Sequence, residues 1–120
     1  MITTACHCGR VRIAVPRKPS SLTECNCSIC LRYGALWAYY AHAEVEVLTD
    51  SAATCGYSWG TGALVFHHCR VCGCVSHYET NPADPGSVFA VNARVMWPEL
   101  REQVHIRPFD GADSWQYLDE

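Results

Sequence analysis

Three short cysteine clusters carry most of the chemistry in this chain: Cys6-His7-Cys8-Gly9, Cys25-Asn26-Cys27-Ser28-Ile29-Cys30 and Cys69-Arg70-Val71-Cys72-Gly73-Cys74. Zinc takes four tetrahedral donors, and thiolates are its commonest structural partners. In a Cys-x-Cys pair on extended chain both side chains leave from one face, so a single ion can meet both. In Cys-x-x-Cys-Gly a tight turn brings two sulfurs within reach, and Gly73 lets the backbone pass close by. Pairing Cys6 and Cys8 with Cys69 and Cys72 therefore gives a closed four-thiolate site that ties the start of the chain to a late hairpin. Binding an ion there is coupled to folding and contributes about 10–16 kcal/mol in apparent terms. That rivals the net stability of a small domain.

The middle cluster offers three sulfurs, Cys25, Cys27 and Cys30, within six residues. Three protein ligands with one open position are the pattern of a reactive zinc, whereas a structural zinc is closed by a fourth ligand. Cys55, Cys74, His67, His68 and His77 are the candidates for closing it, and ligand counting favours the open arrangement. A thiol-redox pair of Cys25 and Cys30 would leave Cys27 without a use. The remaining histidines, His7, His42 and His105, make no better case as ligands. His67 and His68 adjoin Cys69 on a predicted strand and should point to opposite faces.

Nine cysteines in 120 residues also invite a disulfide scaffold. The odd number, the tight grouping and the lack of an export signal at the N-terminus argue for metal in a reducing compartment, so the expected location is the cytoplasm. Apolar residues make up 49% and charged residues 18% of the chain, an ordinary globular composition. No apolar run is long enough for a membrane helix. The formal charge of −3, with no basic run longer than Arg17-Lys18, argues against nucleic acid as a partner.

The elements that must hold these clusters are mostly strands. Residues 10–15 and 44–48 alternate in the two-residue period of a half-buried strand, with Arg10, Arg12, Glu44 and Glu46 on solvated faces. Trp37-Ala38-Tyr39-Tyr40 adds an aromatic strand, and Trp37, Tyr39, Tyr40, Trp59 and Trp97 are expected in the core. Gly60-Thr61-Gly62 is a hairpin turn between Trp59 and Leu64. Later strands are predicted over Ser87 to Met96 and Val104 to Arg107, with a turn at Asp110-Gly111. Helix is confined to one turn at Pro98–Glu102, and Asp119-Glu120 is expected to be a solvated tail. The prediction is an all-β domain over 1–120, short antiparallel strands in two sheets held by zinc.

Cys6-His7-Cys8-Gly9-x-Val11, Cys25-x-Cys27-Ser28-x-Cys30, Cys69-x-x-Cys72-Gly73 and Asn92-x-Arg94 together resemble the glutathione-dependent formaldehyde-activating enzyme family, which includes the centromere protein V type domain. The resemblance implies a β-tent fold and two zinc ions. One is structural on Cys6, Cys8, Cys69 and Cys72, the other catalytic on Cys25, Cys27 and Cys30. It implies a carbon–sulfur lyase that joins glutathione or a similar thiol to formaldehyde or another small aldehyde. Thiolate ligation makes zinc a poor Lewis acid but ionises a bound thiol outright, which suits this chemistry better than water activation. Asn92 and Arg94, two apart on a predicted strand, would share a face and could stabilise the developing alkoxide or anchor a carboxylate; the alternative is that they brace the fold. The competing function is a non-catalytic zinc module whose ions only hold a binding surface together.

Overall fold

Alternation of apolar and polar residues builds two sheets that share one main core. The computed structural model describes residues 1–119. Strands β1 (Ile2–Ala5), β2 (Arg12–Val15), β3 (Ser21–Cys25), β4 (Trp37–Ala41), β5 (Glu46–Val47), β6 (Thr54–Tyr57), β7 (Leu64–Cys69), β8 (Val75–Thr80), β9 (Val88–Asn92) and β10 (His105–Phe109) follow one another along the chain. A small sheet has the order β1-β2-β5, and a larger one the order β10-β3-β4-β9-β8-β7-β6. The two short helices are α1 (Ser28–Tyr33) and α2 (Ala93–Met96), with a 3-10 turn at Pro98–Glu102 where the proline predicts it.

The larger sheet is covered on both faces in its middle. Ala38 and Tyr40 of β4 and Phe89 and Val91 of β9 point into the main core, against Val11, Ile13 and Val15 from the small sheet side. Their strand neighbours Trp37 and Ala90 point the opposite way, into a second cluster with Phe66, Cys25 and Cys30. Two-sided burial explains why Trp37-Ala38-Tyr39-Tyr40 lacks a polar face.

Several expectations are corrected. β10 runs parallel to β3, pairing His105 with Ser21 and Phe109 with Cys25, so the sheet is not wholly antiparallel. The connection from β3 to β10 is long enough for such a crossover, which a hairpin is not. The strand expected to reach Met96 stops at Asn92, whose side chain accepts the Arg94 N–H at 3.3 Å and caps α2. Glu44 lies on a 3-10 turn and binds Arg17 at 2.8 Å instead of facing solvent from a strand. Asp119 is tied down by Arg107 at 2.8 Å and His105 at 3.1 Å; Glu120 lies outside the described residues. Gly34, at φ 63°, ends α1 by donating its N–H to Cys30 and Leu31 carbonyls.

On the main-core face β7 and β8 place His67 opposite His77. His77, with its side chain 3% exposed, stacks on Phe89 at 4.9 Å and on His67 at 4.4 Å. Burial, helped by neighbouring His67 and opposed by Glu79, pushes His77 down to about 3. Folded His77 therefore stays neutral while the unfolded chain takes up a proton below about pH 6.5, so stability falls with pH across that interval. Replacing His77 by Gln removes this contribution. The difference in unfolding free energy between wild type and His77→Gln should narrow by about 2 kcal/mol between pH 7.5 and 5. A constant gap would mean that His77 takes up its proton equally readily in the folded and unfolded chain.

Candidate metal centres and the cavity beside them

The first corner joins the β1–β2 turn to the β7–β8 turn. The thiol sulfurs of Cys6, Cys8, Cys69 and Cys72 all lie within 4.8 Å of one another. Cys8 Sγ is 3.7 Å from Cys6 Sγ and 3.5 Å from Cys69 Sγ. Cys6 and Cys8 sit in a tight turn closed by the Gly9 N–H to the Cys6 carbonyl at 3.0 Å, not on extended chain. Gly9 adopts φ 82° and Gly73 φ 78°, left-handed conformations that favour glycine. Backbone N–H groups of Val11 and Val71 donate to Cys6 and Cys69 Sγ, both at 3.4 Å. Peptide dipoles aimed at sulfur stabilise thiolates, so this corner fits a dication that needs them.

The second corner stands where β3 passes into α1. Cys25 is the last residue of β3, Cys27 precedes α1, and Cys30 lies in its first turn. Their sulfurs also lie within 4.8 Å of one another, and no fourth His, Cys, Asp or Glu joins the group among the described residues. Cys55 pairs with His68 between β6 and β7, and Cys74 packs against the main core. His67 and His77 form a separate group with Glu79. Those two imidazoles stack within 11° of parallel at 4.4 Å, on the main-core side of the sheet and apart from the three-sulfur corner.

Burial pushes the Cys25 and Cys30 thiols up. Cys27 is also penalised by burial, yet N–H groups of Cys30 and Ile29 and the adjacent thiols bring it below the usual range. Trp37, buried beneath the corner, donates its indole N–H to Cys30 Sγ at 3.3 Å. Three crowded, partly desolvated sulfurs are poor company for each other as anions and good company for a soft dication. The donor set fits zinc with one position left to a non-protein ligand.

The segment after β10 closes over this corner. Asp110 accepts from the Ser114 N–H at 3.0 Å, the Ser114 hydroxyl at 2.8 Å and the Asn26 amide at 3.0 Å. Asn26 in turn accepts the Ala112 N–H at 2.9 Å. The residue between Cys25 and Cys27 thus clasps the 110–114 loop from both sides. Gly111 comes so near that a Cβ there would stand 2.5 Å from Cys25 Sγ and 3.2 Å from Cys27 Cβ.

A cavity of about 620 Å³ opens directly onto Cys25, Cys27 and Cys30. Its walls include Tyr39, Tyr78, Phe66 and Phe109, with Trp59 and Trp115 at its edge. Tyr39 and Trp59, expected in the core, are instead cavity residues, and Trp59 is 50% exposed. The contribution of residues 109–117 was not foreseen; the aromatic run Phe109, Trp115 and Tyr117 beside the Asp110-Gly111 turn was its available signal. Neither Asn92 nor Arg94 lines the cavity. Asn92 is buried, accepts the Leu36 N–H at 3.1 Å and donates to the Val75 carbonyl at 2.8 Å. Arg94, on α2, binds the Gly34 carbonyl and Glu24. The predicted shared strand face is therefore replaced by a capped helix start, and the contacts of both residues brace the sheet and the end of α1.

The comparisons agree with this geometry. A crystal structure of a Rhodobacter sphaeroides protein superposes with a TM-score of 0.71 at 24% identity, covering 88% of this chain and 99% of that one, which establishes the shared fold. No functionally curated protein matches the chain significantly. The signature of the glutathione-dependent formaldehyde-activating enzymes matches residues 1–108, so the chain belongs to that family.

Proposed function

We propose that this protein is a zinc-dependent carbon–sulfur lyase that joins a thiol, glutathione or a similar one, to formaldehyde or another small aldehyde. The observation that carries the reading is the open three-sulfur corner facing a cavity, beside a four-sulfur corner outside it. Zinc held by Cys6, Cys8, Cys69 and Cys72 would be structural. Zinc held by Cys25, Cys27 and Cys30 would keep an incoming thiol ionised at neutral pH. In the reaction the substrate sulfur forms a bond to the carbonyl carbon, the C=O π pair moves to oxygen, and that oxygen takes up a proton. The adduct is an S-hydroxymethyl thioether.

The chain supplies orientation, a dry wall and a proton donor. Tyr39 and Tyr78 stand edge to face at the cavity with ring centroids 6.5 Å apart, and burial pushes both hydroxyls up, Tyr39 to about 12. They stay protonated at neutral pH and can donate to the developing alkoxide, the task first expected of Asn92 and Arg94. The expected cytoplasmic location suits a thiol substrate; no described helix is long and apolar enough to cross a membrane.

Native mass spectrometry with millimolar glutathione tests the reading: two zinc ions and a thiol adduct are expected per chain. Cys27→Ser should lose the adduct while the zinc of the closed corner stays; a retained adduct would sink the assignment. Tyr39→Phe should lower turnover by about 100-fold with zinc content unchanged, and an unaltered rate would remove Tyr39 from the reaction. Gly111→Ala, whose methyl would press on Cys25 and Cys27, should release zinc from the open corner preferentially. Equal loss from both corners under graded chelation would show that the loop does not act locally.

A further inference from the structure

The lining of the cavity bears on which thiol fits it. Glutathione carries two carboxylates and an ammonium group, and a site built for it needs cations and carboxylates at fixed places. Among the described residues, no Lys, Arg, His, Asp or Glu lines the cavity that meets Cys25, Cys27 and Cys30. Its polar side chains are the three thiols, Thr80 and three tyrosines. Tyr117 shares its hydroxyl with Thr23 at 2.9 Å, and a tyrosine hydroxyl is a neutral group that supplies no counter-charge to a carboxylate or an ammonium.

The arginines nearby are committed elsewhere. Arg32 on α1 turns back to the Ser28 carbonyl at 2.8 Å, and Arg94 holds the Gly34 carbonyl. Arg107 packs 3.7 Å from the Tyr117 ring centroid and binds Asp119 at 2.8 Å. A charged peptide thiol in this cavity would surrender part of its hydration and meet no opposite charge in the lining, so it would bind weakly.

The rim makes the same point positively. Trp115 is 70% exposed and adopts φ 59°, a left-handed conformation unfavourable for a bulky residue. It is held there by the Asp110 loop, with its N–H donated to the Asp110 carbonyl at 2.7 Å, and its ring meets Phe109 edge-on at 5.0 Å. Trp59, half-exposed, lines the same cavity from the β6–β7 turn. Large apolar rings kept in water at considerable backbone cost mark a surface that a ligand covers.

From this lining we infer that the thiol taken by this cavity is an apolar one, RSH with an aromatic or branched-alkyl body and no charge near the sulfur. This rests on the thiol-aldehyde reading above and narrows its substrate. At about 620 Å³ the cavity has the size of ordinary small-molecule sites and accommodates a substituted ring. The sulfur reaches the open corner of Cys25, Cys27 and Cys30, and the body lies between Phe66, Phe109 and the two rim tryptophans. The bond changes are those already given: the S–C bond forms, the carbonyl π pair becomes the hydroxyl oxygen's, and the thiol proton ends on that oxygen.

Isothermal titration of the zinc-loaded chain with phenylmethanethiol and with glutathione tests the inference. Phenylmethanethiol should bind at least about tenfold more tightly, from the ring area it buries. In the Trp59→Ala/Trp115→Ala double variant, whose altered side chains are exposed, that affinity should fall about fivefold or more while glutathione is unaffected. Glutathione binding as tightly as phenylmethanethiol, or equal losses for both thiols in the variant, overturns the apolar assignment and leaves thiol chemistry standing. Failure of both thiols to bind removes the thiol reading itself, and this inference with it.

Discussion

Strand β4 is buried from both sides, and the placing of everything else follows from that. Ala38 and Tyr40 anchor it in the main core, while Trp37 on the opposite face supports the floor of the three-sulfur corner. The indole N–H finds its partner in Cys30 Sγ at 3.3 Å, so a buried donor and a sulfur of the three-cysteine corner satisfy each other. The hydrogen-bonded neighbours β3 and β9 bring Cys25 and Ala90 to the same cluster. Tyr39, one strand pair further along β4, reaches the cavity because Trp37 does: alternate residues of a strand share a face.

The two sulfur corners divide the work by position. Cys8 and Cys69 lie 61 residues apart in sequence and 3.5 Å apart in space, so a metal held there would close a long loop. Loop closure of this kind reduces the entropy of the unfolded chain, and its gain is realised only if the native geometry already suits the ligands. The corner made by Cys25, Cys27 and Cys30 is local, spanning one strand end and one helical turn, and closes no comparable loop. Its reach comes instead from Asn26 and Asp110, whose reciprocal hydrogen bonds fasten the 110–114 loop over it. A site that only stabilised the fold would gain nothing from a cavity at its open side.

How far the sequence could be read depended on how local each feature was. The two sulfur groups were legible because ligand spacing is set within a turn or a strand end, and metal chemistry needs few residues. The two-sheet, strand-rich architecture followed from two-residue alternation. Ligand counting favoured an open second corner, but which residues stay out of it was not legible, since Cys55, Cys74 and three histidines are kept apart only by strand register and packing. Asn92 and Arg94 were misplaced because Val88–Val91 continues smoothly into Asn92 as strand; asparagine's preference for capping helices was the competing signal. Tyr39 and Trp59 were expected in the core because apolar bulk alone does not tell a packed face from a cavity wall.

The apolar walls and the sulfur corner make physical sense together. A thiolate is soft and weakly hydrated for an anion, and reactivity toward a carbonyl carbon grows when water is kept from competing for it. Carboxylate ligands would raise the polarity of the corner and draw water in; three thiolates, a buried indole and aromatic walls do not. The same walls favour a substrate whose body gains by leaving water. The family signature over residues 1–108 covers all three cysteine clusters. On the proposed reading cysteine spacing would define where a thiol is activated, whereas Phe66, Phe109, Trp59 and Trp115 would define what the thiol carries, and those residues lie on four separate segments joined only by the fold.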